Sequence, residues 1–522
     1  MKHPQTPEGV NQWLRELGAH EPEWWENVDN QFQVVLAATQ HFGKLLSPIM
    51  LEPLIRQFSE KSKTHIQRTR AIFRLHRVED MRRALKWPGV LPLDRSEPGS
   101  ELYPSQGWIA HYLLYAQGSE IPTAWHFWFA VALLGAAMRR NVWIDMGTWT
   151  VYPYWYMMVI EETASAKSTA FSIAKDMMGR HYTQLRNEGR VDCTVRIAAQ
   201  SATLAAFLDD VKSELIANPL NNGELIQRES CIVLPVDEIV TLLGKTKHNP
   251  DEWIWFLTDL FGYTGDEWVD KKVSAGLRTL YRPAISFWAG STLEWVQKSV
   301  TEDMFAGGFL GRFVFIRRKG DGKSVPRAAV LDPVWAEDLA SYLVKLSKMD
   351  PTEFTMTPAA LDWHDDWYHK NKELSRRFEG EKFQAYWRRK QSHLLRLAMC
   401  LCVAEGRFQA DIPDLELAQK LLALEEAAME GLFASMGAHP EKALCDFLLK
   451  VINKEGKPIA YAELLRMVRY KTGSAVRTKE LLHTLISTDE IRISNHTGPR
   501  GGHFYEINKF SERAKRRLEG ED

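Results

Sequence analysis

The residues best suited to chemistry fall in three short stretches, Lys167-Ser168, Asp237-Glu238 and Arg312. A Lys followed by Ser at the start of a helix suits a polyphosphate such as ATP. Backbone N–H groups at the helix start surround the anion, the ammonium neutralises it, and the hydroxyl holds Mg²⁺. The segment YMMVIEETASAKSTAFSIAKDMM, from Tyr156 to Met178, has the required layout: an apolar β-type run, a turn of small residues, then a helical pattern. Thr163, Ala164, Ser165 and Ala166 form the turn expected to wrap the phosphates, followed by Lys167, Ser168 and Thr169. The full G-x-x-x-x-G-K-[ST] pattern would have glycines at 161 and 166, where this chain has Glu161 and Ala166. A Cβ at 166 narrows such a loop, since glycine serves where the backbone takes left-handed dihedrals and approaches a ligand closely. An ordinary strand-to-helix turn that contains Lys-Ser is the alternative.

About seventy residues on, CIVLPVDEIVTLL (Cys231 to Leu243) reads as an apolar strand ending in two carboxylates. At the end of a strand beside a phosphate loop, Asp237 would bond a water on Mg²⁺ and Glu238 would polarise the attacking water. A third strand, AISFWAG (Ala284 to Gly290), ends in Ser291, which either helps position that water or caps the helix that follows. The stretch MFAGGFLGRFVFIRRKG (Met304 to Gly320) places Arg312 at a strand start. There it is either a structural arginine or one delivered to the phosphate held by a neighbouring subunit.

These groups need a sheet and helices to carry them, and the chain is long enough for both. Its 522 residues and 45% hydrophobic content suit about three domains with substantial cores. A formal charge of −1 argues against nucleic-acid binding by the chain as a whole and leaves only local basic patches for it. The five cysteines contain no C-x-x-C pair, so neither a zinc site nor a disulfide framework is expected, and a reducing, cytoplasmic setting is. The N-terminus lacks the apolar core of a signal peptide, and the longest apolar run, Ala124 to Met138, reads as a buried helix; no membrane association is expected.

The organisation expected is a helical region at 1–105, with a linker over Leu93 to Gln106, an α/β nucleotide core at 106–325, a helical lid at 326–436, a winged helix at 437–510 and a tail at 511–522. After the loop helix, Thr194 to Ala199 reads as a second strand and AAFLDDVKSELIA as a helix. GDEWVDKKVSAGLRTLYRP reads as a hairpin turning at Val273-Ser274-Ala275-Gly276. Its Lys271, Lys272 and Arg278 suit a nucleic-acid backbone, or keep an edge hairpin soluble. The basic run Lys61 to Lys86 has the same two readings, phosphate contact or solvated helix face. In the helical lid, Arg388, Arg389 and Arg396 either include a sensor of the nucleotide, for which Arg388 is the candidate, or are ordinary helix-surface arginines. At the C-terminal end, Arg477 and Lys479 on a recognition helix and Arg500 in a Gly-rich wing suit a DNA duplex.

The order of loop, Asp-Glu strand, hairpin, polar-tipped strand and GGFLGRF, with EIPTAWHFWFAVALLGAAMRRNVWI ahead of it, resembles a family of phage- and mobile-element-borne P-loop proteins described as putative helicases. It is similar also to AAA+ ring ATPases of the minichromosome-maintenance type. The resemblance covers about residues 107 to 435, with a winged helix downstream. It implies an AAA+-like P-loop NTPase core that binds ATP and Mg²⁺, with Lys167, Ser168, Asp237 and Glu238 in the roles above and Arg312 as a finger acting in trans. It also implies a homo-oligomer such as a hexameric ring, acting on single-stranded or forked DNA, with other replication proteins met through residues 1–105. The expected activity is that of a replicative DNA helicase. The alternative is a weak or inactive P-loop protein that recruits DNA or replication proteins.

Overall fold

Two helices precede the central sheet. In α1 (Gly107–Ala116), Trp108, Tyr112 and Ala116 recur at helical spacing and are buried. In α2 (Thr123–Met138) every residue from Ala124 to Met138 is buried, as an apolar pattern without a polar face requires. Glu97 accepts bonds from the Thr123 backbone N–H and hydroxyl at 2.8 Å each, supplying the acceptor that Pro122 lacks. Tyr103 stacks on Phe127 with ring centroids 4.7 Å apart. The stretch expected as a linker is therefore pinned to α2. The computed structural model describes residues 91, 93–161, 166–200, 202–217, 224–243, 250–272, 276–299, 308–317, 324–377, 384–435, 440–494, 503–508, 511, 514–515 and 518.

A short antiparallel hairpin, β1 (Val142–Asp145) and β2 (Thr150–Val151), turns at Gly147, whose φ of 80° favours glycine. There follow β3 (Tyr156–Ile160), α3 (Lys167–Asn187), β4 (Arg196–Ile197) and α4 (Leu204–Val211). The expected helix over AAFLDDVKSELIA stops at Val211. Lys212 is extended, and Leu215–Ala217 becomes strand β5, paired with β6 (Leu225–Gln227). Next come β7 (Cys231–Val236), α5 (Val240–Leu243), α6 (Pro250–Leu260) and the expected hairpin of β8 (Glu267–Lys272) and β9 (Gly276–Tyr281). The sequence continues through β10 (Ala284–Ser291), α7 (Leu293–Ser299) and β11 (Phe313–Arg317).

Five of these strands form one parallel sheet in the order β11-β3-β10-β7-β4. β3, β7 and β10 are buried at every position, which is why they read as unbroken apolar runs rather than alternating ones. The register sets Ile160 beside Ser291 and Val236 beside Ala289, so the residues that follow these strands emerge side by side.

Beyond the sheet the chain is mainly helical. Asp332 caps α8 (Pro333–Ser347) by accepting the Val334 N–H at 2.8 Å, and α8 packs on α2 and α3. Two-residue strands β12 (Thr352–Glu353) and β13 (Thr355–Met356) lead to α9 (Pro358–Arg377), α10 (Gln384–Trp387) and α11 (Lys390–Ala404). Strand β14 (Gln409–Ala410), paired with β13, and α12 (Ile412–Ser435) follow. The chain divides into two units, Met1–Leu293 with Asp303–Glu430, and Glu294–Glu302 with Gly431–Asp522.

In the second unit, α13 (Pro440–Glu455), β15 (Ile459–Ala460), α14 (Tyr461–Thr472), α15 (Ala475–Ser487), β16 (Ile491–Ile493) and β17 (Phe504–Ile507) surround a core of Leu448, Leu449, Val468, Leu481 and Leu485. Its strands form an antiparallel sheet in the order β15-β17-β16. Among the described residues, no helix is long and apolar enough to cross a membrane.

Candidate functional site

The site begins where β3 ends. Ala166 adopts the left-handed conformation (φ 62°, ψ 16°) that a glycine would take most easily, and Lys167 opens α3. Ala166 offers no side chain to cap the helix, and the first turn holds no acidic residue. The N-terminus of this 21-residue helix thus keeps its positive end for an anion. Ser168 and Thr169 are exposed on that first turn. Thr163, Ala164 and Ser165 lie outside the described residues.

Parallel pairing brings the distant stretches together. The Lys167 ammonium, 5% exposed, donates to the Ser291 carbonyl at 2.8 Å and the Glu161 carbonyl at 3.2 Å, and lies 3.3 Å from Glu238 Oε1. Ser291 therefore meets Lys167 through its backbone, while its hydroxyl turns to the Thr292 carbonyl at 3.3 Å. Asp237 emerges beside Gly290, and a Cβ on Gly290 would sit 2.1 Å from the Asp237 carbonyl oxygen, so only glycine permits this approach. The Asp237 carboxylate accepts from Lys175 at 3.3 and 3.5 Å and from Gln200 at 3.3 Å. Lys175 and Gln200 were not singled out in the sequence. Lys175 lies two helical turns beyond Lys167, a spacing that offered a signal, whereas Gln200 offered none.

Chemically, this end of the sheet can hold a polyphosphate at the start of α3, with one ammonium on it and two carboxylates close by for a divalent cation and a water. Each carboxylate also has a lysine of α3 beside it.

Arg312 stands elsewhere. It precedes β11, and Phe313 pairs in register with Tyr156 at the start of β3. A five-residue strand rises roughly 16 Å, so Arg312 and Lys167 occupy opposite ends of the sheet. Arg312 donates to the Gly308 carbonyl at 2.6 Å and lies 5.9 Å from the centre of the Phe261 ring. Burial and the neighbouring Arg389 push its pKa down to about 10. Arg388 is exposed, and it is the adjacent Arg389 that reaches the turn before Arg312.

The basic candidates for nucleic acid separate in the same way. Arg278, expected to suit a nucleic-acid backbone, is buried and held by Asp209 at 2.8 and 2.9 Å and by Asp270 at 3.5 Å. Its guanidinium is committed to carboxylates on α4 and on the paired strand. Lys271 and Lys272 lie in β8, with side chains outside the described set; Arg500 and the run Lys61 to Lys86 also fall outside it. Arg477 and Lys479 are exposed on the first turns of α15, which Ser474 caps by accepting the Arg477 N–H at 3.1 Å. The preceding α14 adds exposed Arg466, Arg469, Tyr470 and Lys471, which sequence reasoning passed over although they cluster within six residues.

No family model matches this chain, and no curated protein matches it.

Proposed function

We propose that this protein is an ATP-dependent nucleic-acid motor with an AAA+-like P-loop core and a C-terminal winged helix, acting as a replicative DNA helicase of a phage or mobile element. One observation carries the reading: the ends of β3, β7 and β10 bring Lys167, Asp237-Glu238 and Ser291 to one place beside the start of α3. The strand order β11-β3-β10-β7-β4 supports the core assignment. The three helices and antiparallel strands of the second unit support the winged helix.

In this reading Lys167 leaves Glu238 to bind the phosphates of ATP, and the freed carboxylate orients the water that attacks. Ser168 and Asp237 would hold Mg²⁺, which supplies charge neutralisation on the phosphates. The donor set fits such an ion: an exposed hydroxyl on the first turn of α3 and a part-buried carboxylate on the adjoining strand end. Arg312, at the far end of the sheet, acts on a nucleotide held by a second copy, so the working form is a homo-oligomer such as a hexameric ring. DNA, single-stranded or forked, meets the exposed bases of α14 and α15 and the lysines of the β8–β9 hairpin. Residues 1–105 would meet other replication proteins.

A second reading, a nucleotide-binding recruitment protein without turnover, is favoured by Ala166 and by the two lysine–carboxylate pairs. Purified protein is to be assayed for ATP affinity and turnover with and without single-stranded and forked DNA, beside Glu238→Gln. Turnover that DNA stimulates and Glu238→Gln abolishes is expected. Tight binding without turnover selects the second reading, and absence of both removes the nucleotide assignment.

A further inference from the structure

The second unit exposes an aromatic ring among cations. Tyr470 of α14 is 80% exposed. Leu464, Val468 and Thr472 fix the buried side of this helix, and helical spacing puts Tyr470 on the opposite side. Phe447 of α13, part-buried against the core of the unit, meets the Tyr470 ring edge-on, with centroids 6.1 Å apart and planes at 82°. The Lys471 ammonium lies 4.4 Å from the centre of the Phe447 ring. Arg466 is exposed one turn before Tyr470, and Lys450 and Lys454 are exposed on the side of α13 that carries Phe447. Among the described residues, none of these four cations is in an ion pair, unlike Arg492 of the same unit, which Glu506 holds at 2.7 Å. Glu463 is the one carboxylate of α14.

An exposed ring keeps apolar surface in water, and covering it with a second flat apolar face is favourable. The cations on both sides call for a ligand that is also an anion. A single strand of nucleic acid has both properties, since each base offers a π-face and each phosphate a negative charge. A duplex does not fit the ring in this way, because its base faces are covered by their neighbours in the stack. We infer that the α13–α14 face binds single-stranded nucleic acid, with Tyr470 stacked on an unpaired base and Arg466, Lys471 and Lys450 on the flanking phosphates. Phe447 limits the directions the Tyr470 ring can take and so lowers the entropy lost on stacking. The exposed Arg477 and Lys479 of α15 remain for a paired segment. The inference names the class of strand for the nucleic-acid role proposed above, and it rests on that role.

The test uses full-length protein carrying Lys271→Ala and Lys272→Ala, in which the β8–β9 hairpin no longer competes for the strand. Fluorescence anisotropy compares a short oligothymidine, an abasic strand of the same length and a duplex of that length. Adding Tyr470→Ala is expected to weaken oligothymidine binding about tenfold, the scale of one lost stack, and to leave the abasic strand and the duplex unchanged. Tyr470→Phe keeps the ring and should keep the affinity. Oligothymidine affinity that Tyr470→Ala leaves unchanged overturns the inference, spares the nucleic-acid role and leaves this face to a protein partner. A loss as large for the abasic strand or the duplex, or as large in Tyr470→Phe, also overturns it, because the ring then does not read an unpaired base. Binding of none of the three probes removes the inference and the nucleic-acid role together. If oligothymidine binding depends on Tyr470 while wild-type protein shows no ATP turnover, the motor reading fails and the strand site stands.

Discussion

The two ends of the central sheet are built on opposite electrostatic plans. At the C-terminal ends of its strands each lysine has a carboxylate: Lys167 lies 3.3 Å from Glu238 and Lys175 lies 3.3 Å from Asp237. At the N-terminal ends, Arg312 and Arg396 lie over Phe261 and Arg389 reaches Gly308, with backbone carbonyls as their acceptors. A matched end is near neutral at rest and binds a charged ligand only by exchanging partners. An unmatched end carries its charge at a cost in desolvation. The cost of burying unpaired charge shows in Arg312 and Arg396, whose pKa values are both pushed down to about 10, chiefly by burial.

The comparison can be broken most directly at Lys167. Lys167→Ala removes a buried ammonium at the matched end, and ATP affinity is expected to fall by roughly a hundredfold, the scale of a lost charge-assisted contact. Unchanged ATP affinity in a folded protein would remove Lys167 from the phosphate site and the contrast with it.

His393 gives a smaller effect. Its Nε2–H donates to the Gly311 carbonyl at 3.2 Å. Burial, aided by the charges of Arg396 and Arg389, pushes its pKa down to about 3. The folded protein therefore binds this proton less readily than the unfolded chain. The histidine's contribution to stability is whole above about pH 6.5 and declines as pH falls toward 3, by about 1.4 kcal/mol per pH unit. Urea midpoints taken from pH 6.5 to 5 should fall less steeply in His393→Gln than in the wild type. Matching slopes would show that the arginine end does not resist protonation.

Lys175 gives the smallest. Its pair with Asp237 is part-exposed, so Lys175→Met is expected to raise the affinity for Mn²⁺, followed by its magnetic resonance signal, only about two- to fivefold. Unchanged or weaker Mn²⁺ binding would mean that Lys175 does not compete for the carboxylate and would blur the contrast between the ends.

Much of the sheet was legible because its strands are buried on both faces. Unbroken runs such as YMMVI and CIVLPV have few other uses in a chain with helices between them. The β8–β9 hairpin was legible from its small-residue turn, and the helices of the second unit from their apolar spacing. The β5–β6 hairpin was not. Residues 205–217 carry a helical pattern, yet Ser213 donates to the Thr279 carbonyl at 2.8 Å and accepts the Tyr281 N–H at 2.6 Å, drawing the segment onto β9. Arg278 was misjudged because its partner Asp209 lies 69 residues away. Arg388 was preferred to its neighbour Arg389 because the choice between adjacent arginines depends on the packing of α10. There Ala385 lies so close to Gly311 that a Cβ on that glycine would meet its backbone at 2.6 Å.

By itself the sequence determined the local elements and the residue types at their ends. Backbone periodicity, turn-forming residues and the Lys-Ser and Asp-Glu pairs act over a few residues and are written in order. Only the tertiary structure decided which charges meet. Parallel strands return the chain to the same edge after long excursions, so the partners of Lys167, Asp237 and Arg278 depend on register and burial. The same register sent Arg312 to the opposite edge, where it is partly desolvated in the company of Arg389.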